Sequence, residues 1–275
     1  MVRVEMLAVG KELLIGRTIN SNAAWLGKRL ARMGTMLHEI TTVDDDLAEI
    51  ASAFRAAVKR NPDFLVVVGG LGPTPDDMTL RGIADGMGVT LRRNEQALRL
   101  IREHYARRGL RQIELTPARI KMARLPVRAE PVFNEVGTAP GVRLVEGKTT
   151  VFCLPGVPVE MRGIFRKSVE PEIRQKLGKL HRKYVTMKLE GILESALAPV
   201  IAEELTRHPG AYIKSHPRGI REGVSRIELD IAVVGEDRQR TEREGDEIAG
   251  KMEAEIEKAG GRVKLVRGLG GQRWT

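Results

Sequence analysis

The 275 residues are 42% hydrophobic and 30% charged, enough apolar material for one large or two modest cores and too much for a disordered chain. No apolar run approaches the roughly 18–20 residues that cross a bilayer, and the single cysteine, Cys153, excludes a disulfide framework or a multi-cysteine zinc site. Lys and Arg number 46 against 36 Asp and Glu, a formal charge of +10, and residues 92–128 alone hold 11 basic and 3 acidic side chains. The excess is therefore local, as on an anion-facing surface.

In chain order, residues 2–9 (VRVEMLAV) read as a strand rather than a signal peptide, so a cytoplasmic protein without an anchor is expected. Ile19, Ala23, Leu26, Leu30 and Met33 recur at helical spacing over 19–33. Residues 36–43 read as a strand, 47–59 as a helix, and 63–70 (DFLVVVGG) as a strand buried on both faces. This alternation indicates βαβ units and a parallel sheet covered by helices. Residues 92–125 read as helical and basic, 141–145 and 149–154 as strands, and 161–177 as helix. From about residue 178 the pattern becomes β-α-β-β-α: strand at 184–191, helix at 193–206, a short strand at 211–217, an alternating strand at 224–235 and a charged helix at 238–259. The expected organisation is α/β, with a mostly parallel sheet sandwiched by helices over 1–178, a smaller α+β domain over 179–265, and a tail over 266–275.

Five segments carry the chemistry, and four follow predicted strands. Gly69 to Thr79 (GGLGPTPDDMT) follows the buried strand; its glycines let backbone N–H groups approach a phosphate. Asp76 and Asp77 there offer hard oxygen ligands for a divalent ion, or alternatively a helix N-cap. Gly10 to Asn22 brings Gly10, Glu12, Asn20 and Asn22 to the end of the first strand. Asp44, Asp45 and Asp46 follow the second. Asn134 to Gly141 precedes a strand, and Leu154 to Met161 follows one. Together they converge on one rim of the sheet. The five histidines show no metal-ligand spacing, and Cys153 reads as a buried inert thiol.

The set G-x-E-L-L-x-G at Gly10–Gly16, N-x-N-A-x-W-L at Asn20–Leu26, V-x-D-D at Val43–Asp46, GGLGPTxDDxT at 69–79, VGTAPG at 136–141 and LPGVPxEM at 154–161 resembles the amino-terminal domain of CinA-type proteins. That domain has the MogA/MoeA-like molybdopterin-binding fold. The second domain is similar to the KH-like module that follows in these proteins. Nothing resembles the nicotinamide mononucleotide deamidase domain that many of them carry, so that activity is not expected.

The resemblance implies a metal-dependent pyrophosphatase acting on ADP-ribose or a related dinucleotide such as FAD or NADH, with Mg, Mn or Co. The alternative is a transferase that binds or adenylylates molybdopterin. Carried over by position, Asp77, Asp45 and Glu160 are the catalytic candidates and Asp77, Asp76 and Asp45 the metal candidates. Gly10, Glu12, Asn20, Asn22, Gly69, Gly70, Leu71, Gly72, Pro73, Thr74, Thr79, Asn134, Gly137, Thr138, Ala139, Gly141 and Gly156 are the substrate-binding candidates. A homodimer is implied in the same way. The basic residues Arg92, Arg93, Arg99, Arg102, Arg107, Arg108, Arg111, Arg119, Lys121, Arg124 and Arg128 could draw in anionic substrate, contact nucleic acid or simply form a solvated face. Nucleic acid is not the expected partner, because residues 180–260 lack the G-x-x-G loop of KH domains and Tyr105 is the only aromatic within the basic run.

Overall fold

The run of five aliphatic and aromatic residues at 64–68 is buried end to end, and the first domain is assembled around it. In this computed structural model, residues 2–110 and 114–267 are described. The chain divides into two units, residues 1–178 and 179–275.

The first unit runs β1 (Val4–Val9), α1 (Lys11–Leu14), α2 (Ser21–Met33), β2 (Leu37–Val43), α3 (Leu47–Lys59), β3 (Phe64–Val68), α4 (Thr79–Met87), β4 (Leu91–Arg93) and α5 (Glu95–Arg107). It continues with α6 (Pro117–Lys121), β5 (Arg124–Pro126), β6 (Glu130–Val132), β7 (Gly141–Glu146), β8 (Thr149–Leu154), α7 (Pro158–Ile164), a π-helical turn at Phe165–Val169 and α8 (Glu170–Leu177). Six strands form one sheet in the order β2-β1-β3-β8-β7-β6. The first four are parallel, and β7 and β6 add antiparallel to one side.

Side chains alternate across this sheet, and both faces are covered. Leu7, Val9, Leu65, Val67, Val151 and Cys153 pack with α3, α4 and α5 through Ile50, Phe54, Ile83, Leu98 and Ile101. Met6, Ala8, Val66, Val68, Phe152 and Leu154 pack with Leu26 and Leu30 of α2 and Met161 and Ile164 of α7. Each such Leu, Ile, Val, Phe or Met side chain contributes about 1.5–3 kcal/mol by leaving water. Burial pushes the Cys153 thiol up to about 12, which makes it a core residue and not a nucleophile.

Helix starts are set by short polar side chains. Asn20 caps α2 by accepting from Ala23 N at 2.9 Å, Asp46 caps α3 by accepting from Ala48 N and Glu49 N at 2.8 and 3.0 Å, and Asn94 caps α5. The sequence reading of one long helix over 92–125 is corrected here. Arg108 and Gly109 end α5, Thr116 caps a separate α6, and β4 pairs with β5 as an antiparallel ribbon.

The second unit runs β9 (His181–Glu190), α9 (Glu194–Arg207), β10 (Tyr212–Arg221), β11 (Val224–Gly235), α10 (Arg238–Lys258) and β12 (Arg262–Arg267). Its sheet order is β10-β11-β9-β12, antiparallel throughout. Val185, Met187, Leu189, Ile227, Leu229 and Ile231 face Leu197, Ile248 and Met252 of the two helices. The expected tail boundary at 266 is corrected: β12 continues to Arg267, and residues 268–275 lie outside the described residues. Among the described residues no helix is long and apolar enough to cross a membrane.

Candidate active site

The crossover from β1 through α2 to β2 runs to one side of β1, and the chain then returns to place β3 on the other side. This reversal opens a crevice at the carboxyl ends of β1 and β3, the usual ligand position in open α/β sheets. A cavity of about 570 Å³ lies there, lined by the loops after β1, β3 and β8.

The loop after β3 supplies the cavity floor. Gly69 and Gly70 both have positive φ, +114° and +61°, and a Cβ on Gly69 would meet the Val9 carbonyl oxygen of the neighbouring strand. Only glycine fits that close turn between two parallel strands. Further along, Asp77 folds back on the loop: its Oδ2 accepts from Thr74 N at 2.8 Å and from Thr74 Oγ1 at 2.6 Å. Lys121 Nζ donates to the carbonyls of Thr74 and, at 3.5 Å, Gly72. Partial burial holds the Lys121 ammonium below its ordinary pKa, against the opposing pull of Asp77 and Asp76.

The other walls are joined to one another by single side chains. Asp45 Oδ2 accepts from Lys11 N at 2.9 Å, and Asp44 pairs with Lys11 Nζ at 3.2 Å, so the loop after β2 holds the loop after β1. Asn22 Nδ2 donates to Gly156 O at 2.7 Å, which ties α2 to the loop after β8. Asn22 Oδ1 is buried without a partner. Glu160, in the first turn of α7, accepts from Asn134 Nδ2 at 2.7 Å. Asn134 also donates to Ala139 O at 2.9 Å, and its Oδ1 accepts from Val136 N and Gly137 N at 3.1 and 2.9 Å. Arg108 Nη2 donates to Val136 O at 2.6 Å.

Of the candidates, Asp45, Asp76, Asp77, Glu160, Gly10, Glu12, Asn20, Asn22, Gly69, Gly70, Leu71, Gly72, Pro73, Thr138, Ala139 and Gly156 line this one cavity. Five do not. Thr74 is exposed and outside the lining, as the partner of Asp77. Thr79 is fully buried, with its Oγ1 unpartnered beneath Gly70. Asn134 holds Glu160 from outside the cavity, Gly137 donates its N–H to Asn134, and Gly141 is buried where β7 meets β8. These positions support the wall rather than face its contents. The helix-cap reading of Asp76 and Asp77 is also corrected, because Met78 occupies the cap position of α4 without a side-chain cap bond.

Sequence reading did not select Lys121 or Tyr105 as site residues, although both lay in the basic run. Tyr105 lines the cavity with the Arg119 guanidinium 4.8 Å over its ring. Its phenol is held below its ordinary pKa, first by interaction with Arg119 and then by Thr138. Arg107 stacks 4.6 Å over Phe133, and Arg93 pairs with Glu95, so much of the basic run is committed to the protein itself. Arg111 lies outside the described residues.

Among the described residues no three His, Cys, Asp or Glu side chains group as a ready-made metal cage. The donor set still fits a hard divalent ion. Asp76 and Asp77 are adjacent carboxylates on the cavity edge, and Mg²⁺ is commonly held by one or two carboxylates with substrate phosphates completing its shell.

Residues 5–175 match the family model described as a probable molybdopterin binding domain. The chain belongs to that family. A protein from Pyrobaculum arsenaticum is 42% identical over 226 residues, 82% of this chain and 84% of the relative. One from Metallosphaera sedula is 39% identical over 263 residues, 96% and 97% of the two chains. Neither relative's name states an activity. A crystal structure of the CinA protein from Thermoplasma acidophilum, described as of unknown function, is 43% identical with a TM-score of 0.56, covering 62% of this chain and 98% of that one. The family match falls on the unit that holds the cavity.

Proposed function

We propose that this family member is a metal-dependent pyrophosphatase that hydrolyses the diphosphate bond of ADP-ribose or a related dinucleotide, releasing AMP and a second phosphate monoester. The observation that carries this reading is the placement of acidic side chains around a glycine floor: Asp76 and Asp77 from the loop after β3, Asp45 after β2 and Glu160 after β8, all on one cavity.

A diphosphate bridge already bears negative charge, and its cleavage concentrates more on the leaving phosphate, so catalysis rests on placement and electrostatics. Asp77 and Asp76 would hold a divalent ion, which when bound supplies neutralisation of the phosphate oxygens. The backbone of Gly69–Gly72 lets those oxygens approach closely. Glu160, oriented by Asn134, takes a proton from the attacking water as its oxygen bonds to phosphorus and the bridging P–O bond breaks. Asp45 is the alternative base. A cytoplasmic location, a homodimer and a KH-like identity for the second unit belong to the same proposal.

The second reading, a protein that binds or adenylylates molybdopterin, is favoured by the family description alone. Incubation of the purified chain with ADP-ribose, FAD or NADH and Mg²⁺, Mn²⁺ or Co²⁺ separates the two. AMP release supports the pyrophosphatase. Pterin-dependent ATP consumption with no AMP from any dinucleotide supports the transferase.

A further inference from the structure

The second unit leaves one face of its sheet without a covering helix of its own. The odd-numbered residues of β9, β10 and β11 enter its core, so the residues between them point the other way. Register sets these in rows. One row reads Tyr212–Ala232–Tyr184, the next begins Lys214–Asp230–Thr186, the third is His216–Glu228–Lys188–Lys264 and the last is Arg226–Glu190–Arg262.

All three carboxylates on this face are committed. Glu228 accepts from Arg218 at 2.8 Å, Glu190 pairs with Arg226 at 3.2 Å, and Asp230 accepts from Thr186 Oγ1 at 2.8 Å with His216 Nε2 at 3.3 Å. Lys188, Lys214, Arg262 and Lys264 are exposed, and no carboxylate among the described residues pairs with them. Lys188 and Lys264 sit directly opposite each other, an arrangement of like charges that a sheet disfavours unless an anion joins it. In the first row, Tyr212 is 53% exposed and Tyr184 is half-buried, with the small Ala232 on the strand between them, so the two ring-bearing strands run about 10 Å apart.

We propose that this sheet face binds single-stranded nucleic acid, with the exposed Lys188, Lys214, Arg262 and Lys264 on successive phosphates and the two tyrosines stacking unpaired bases. A duplex offers the phosphates and hides the base faces, and an acidic protein surface leaves the tyrosines without a role. The surface differs from the G-x-x-G loop whose absence set nucleic acid aside in the sequence.

Fluorescence anisotropy of the full chain with labelled polyuridine and oligothymidine of about 12 nucleotides tests this. Binding is expected at low salt, with log affinity falling at a slope of about −3 against log salt, for four cations on a single strand. Lys188→Glu with Lys264→Glu, and Tyr212→Ala alone, should each weaken it at least about tenfold, while Tyr212→Phe retains it. Arg99→Glu with Arg102→Glu on α5 should leave it unchanged. The RNA and DNA probes distinguish the two sources of the strand. Four results would overturn the proposal: no binding, equal binding of duplex, loss through the α5 variant but not the sheet variants, or sheet variants that change only the oligomeric state.

Discussion

Asn134 donates to Glu160 Oε2 at 2.7 Å, and the same carboxamide closes the turn at 134–139 by accepting from Val136 N and Gly137 N and donating to Ala139 O. One buried side chain therefore sets both the shape of a cavity wall and the aim of the carboxylate that projects from α7. The backbone of Gly137 lies so close to the Glu160 carboxyl that a Cβ there would overlap it.

Asn134→Asp replaces the donating amide with an oxygen facing Glu160. The turn can keep its accepting bonds, but two carboxyl groups then share one site. Like-charge repulsion should move the acidic limb of the kcat profile, where the base must be deprotonated, to higher pH, and kcat should fall about 10–100-fold with KM little changed. Steady-state kinetics across pH checks this. A normal profile would show that Glu160 needs no positioning.

Lys121 acts on the floor rather than on the chemistry, because its ammonium donates to the Thr74 and Gly72 carbonyls. Lys121→Met keeps much of the stem packing and removes those bonds. KM for the dinucleotide should rise about tenfold, with a stability loss of about 1–2 kcal/mol. Kinetics and a urea titration read both quantities.

Two carboxylates tie the first unit together, and both have pKa values below the ordinary one. For Glu170, desolvation works against this and is outweighed by hydrogen bonds from Arg29 and Arg174; for Asp63, desolvation is outweighed by Lys176 and the backbone N–H of Arg3. A depressed folded-state pKa adds stability that is present above the unfolded value and is lost as pH falls through the folded one. Stability should therefore be flat near neutrality and decline below about pH 4.5. Glu170→Gln should flatten part of that decline and cost about 2 kcal/mol at neutral pH. Thermal melts across pH measure both.

The rim of the sheet was legible because its signals are local. An aliphatic run ending in two glycines marks a buried strand and the loop beyond it, and that gave the cavity floor at Gly69–Pro73. Lys121 was hidden because its role depends on α6 folding back to the β3 loop, a contact 47 residues apart in sequence. Thr74, Thr79, Asn134 and Gly141 lie in the right segments, yet only packing decides whether a polar residue in a loop faces the cavity or braces its wall. The long basic helix failed for a similar reason: its period continues across Gly109, but the chain turns there and β5 returns to pair with β4.

In the proposed reaction the acidic floor loop acts on a substrate's linked phosphates through Asp77. Asp77→Asn keeps an oxygen to accept from Thr74 and removes the charge, so the loop should hold its shape. AMP released from ADP-ribose with Mg²⁺ should fall by about a hundredfold or more relative to the unaltered chain, with an unchanged melting temperature. Equal AMP release by the two proteins would show that Asp77 takes no part in cleaving the diphosphate.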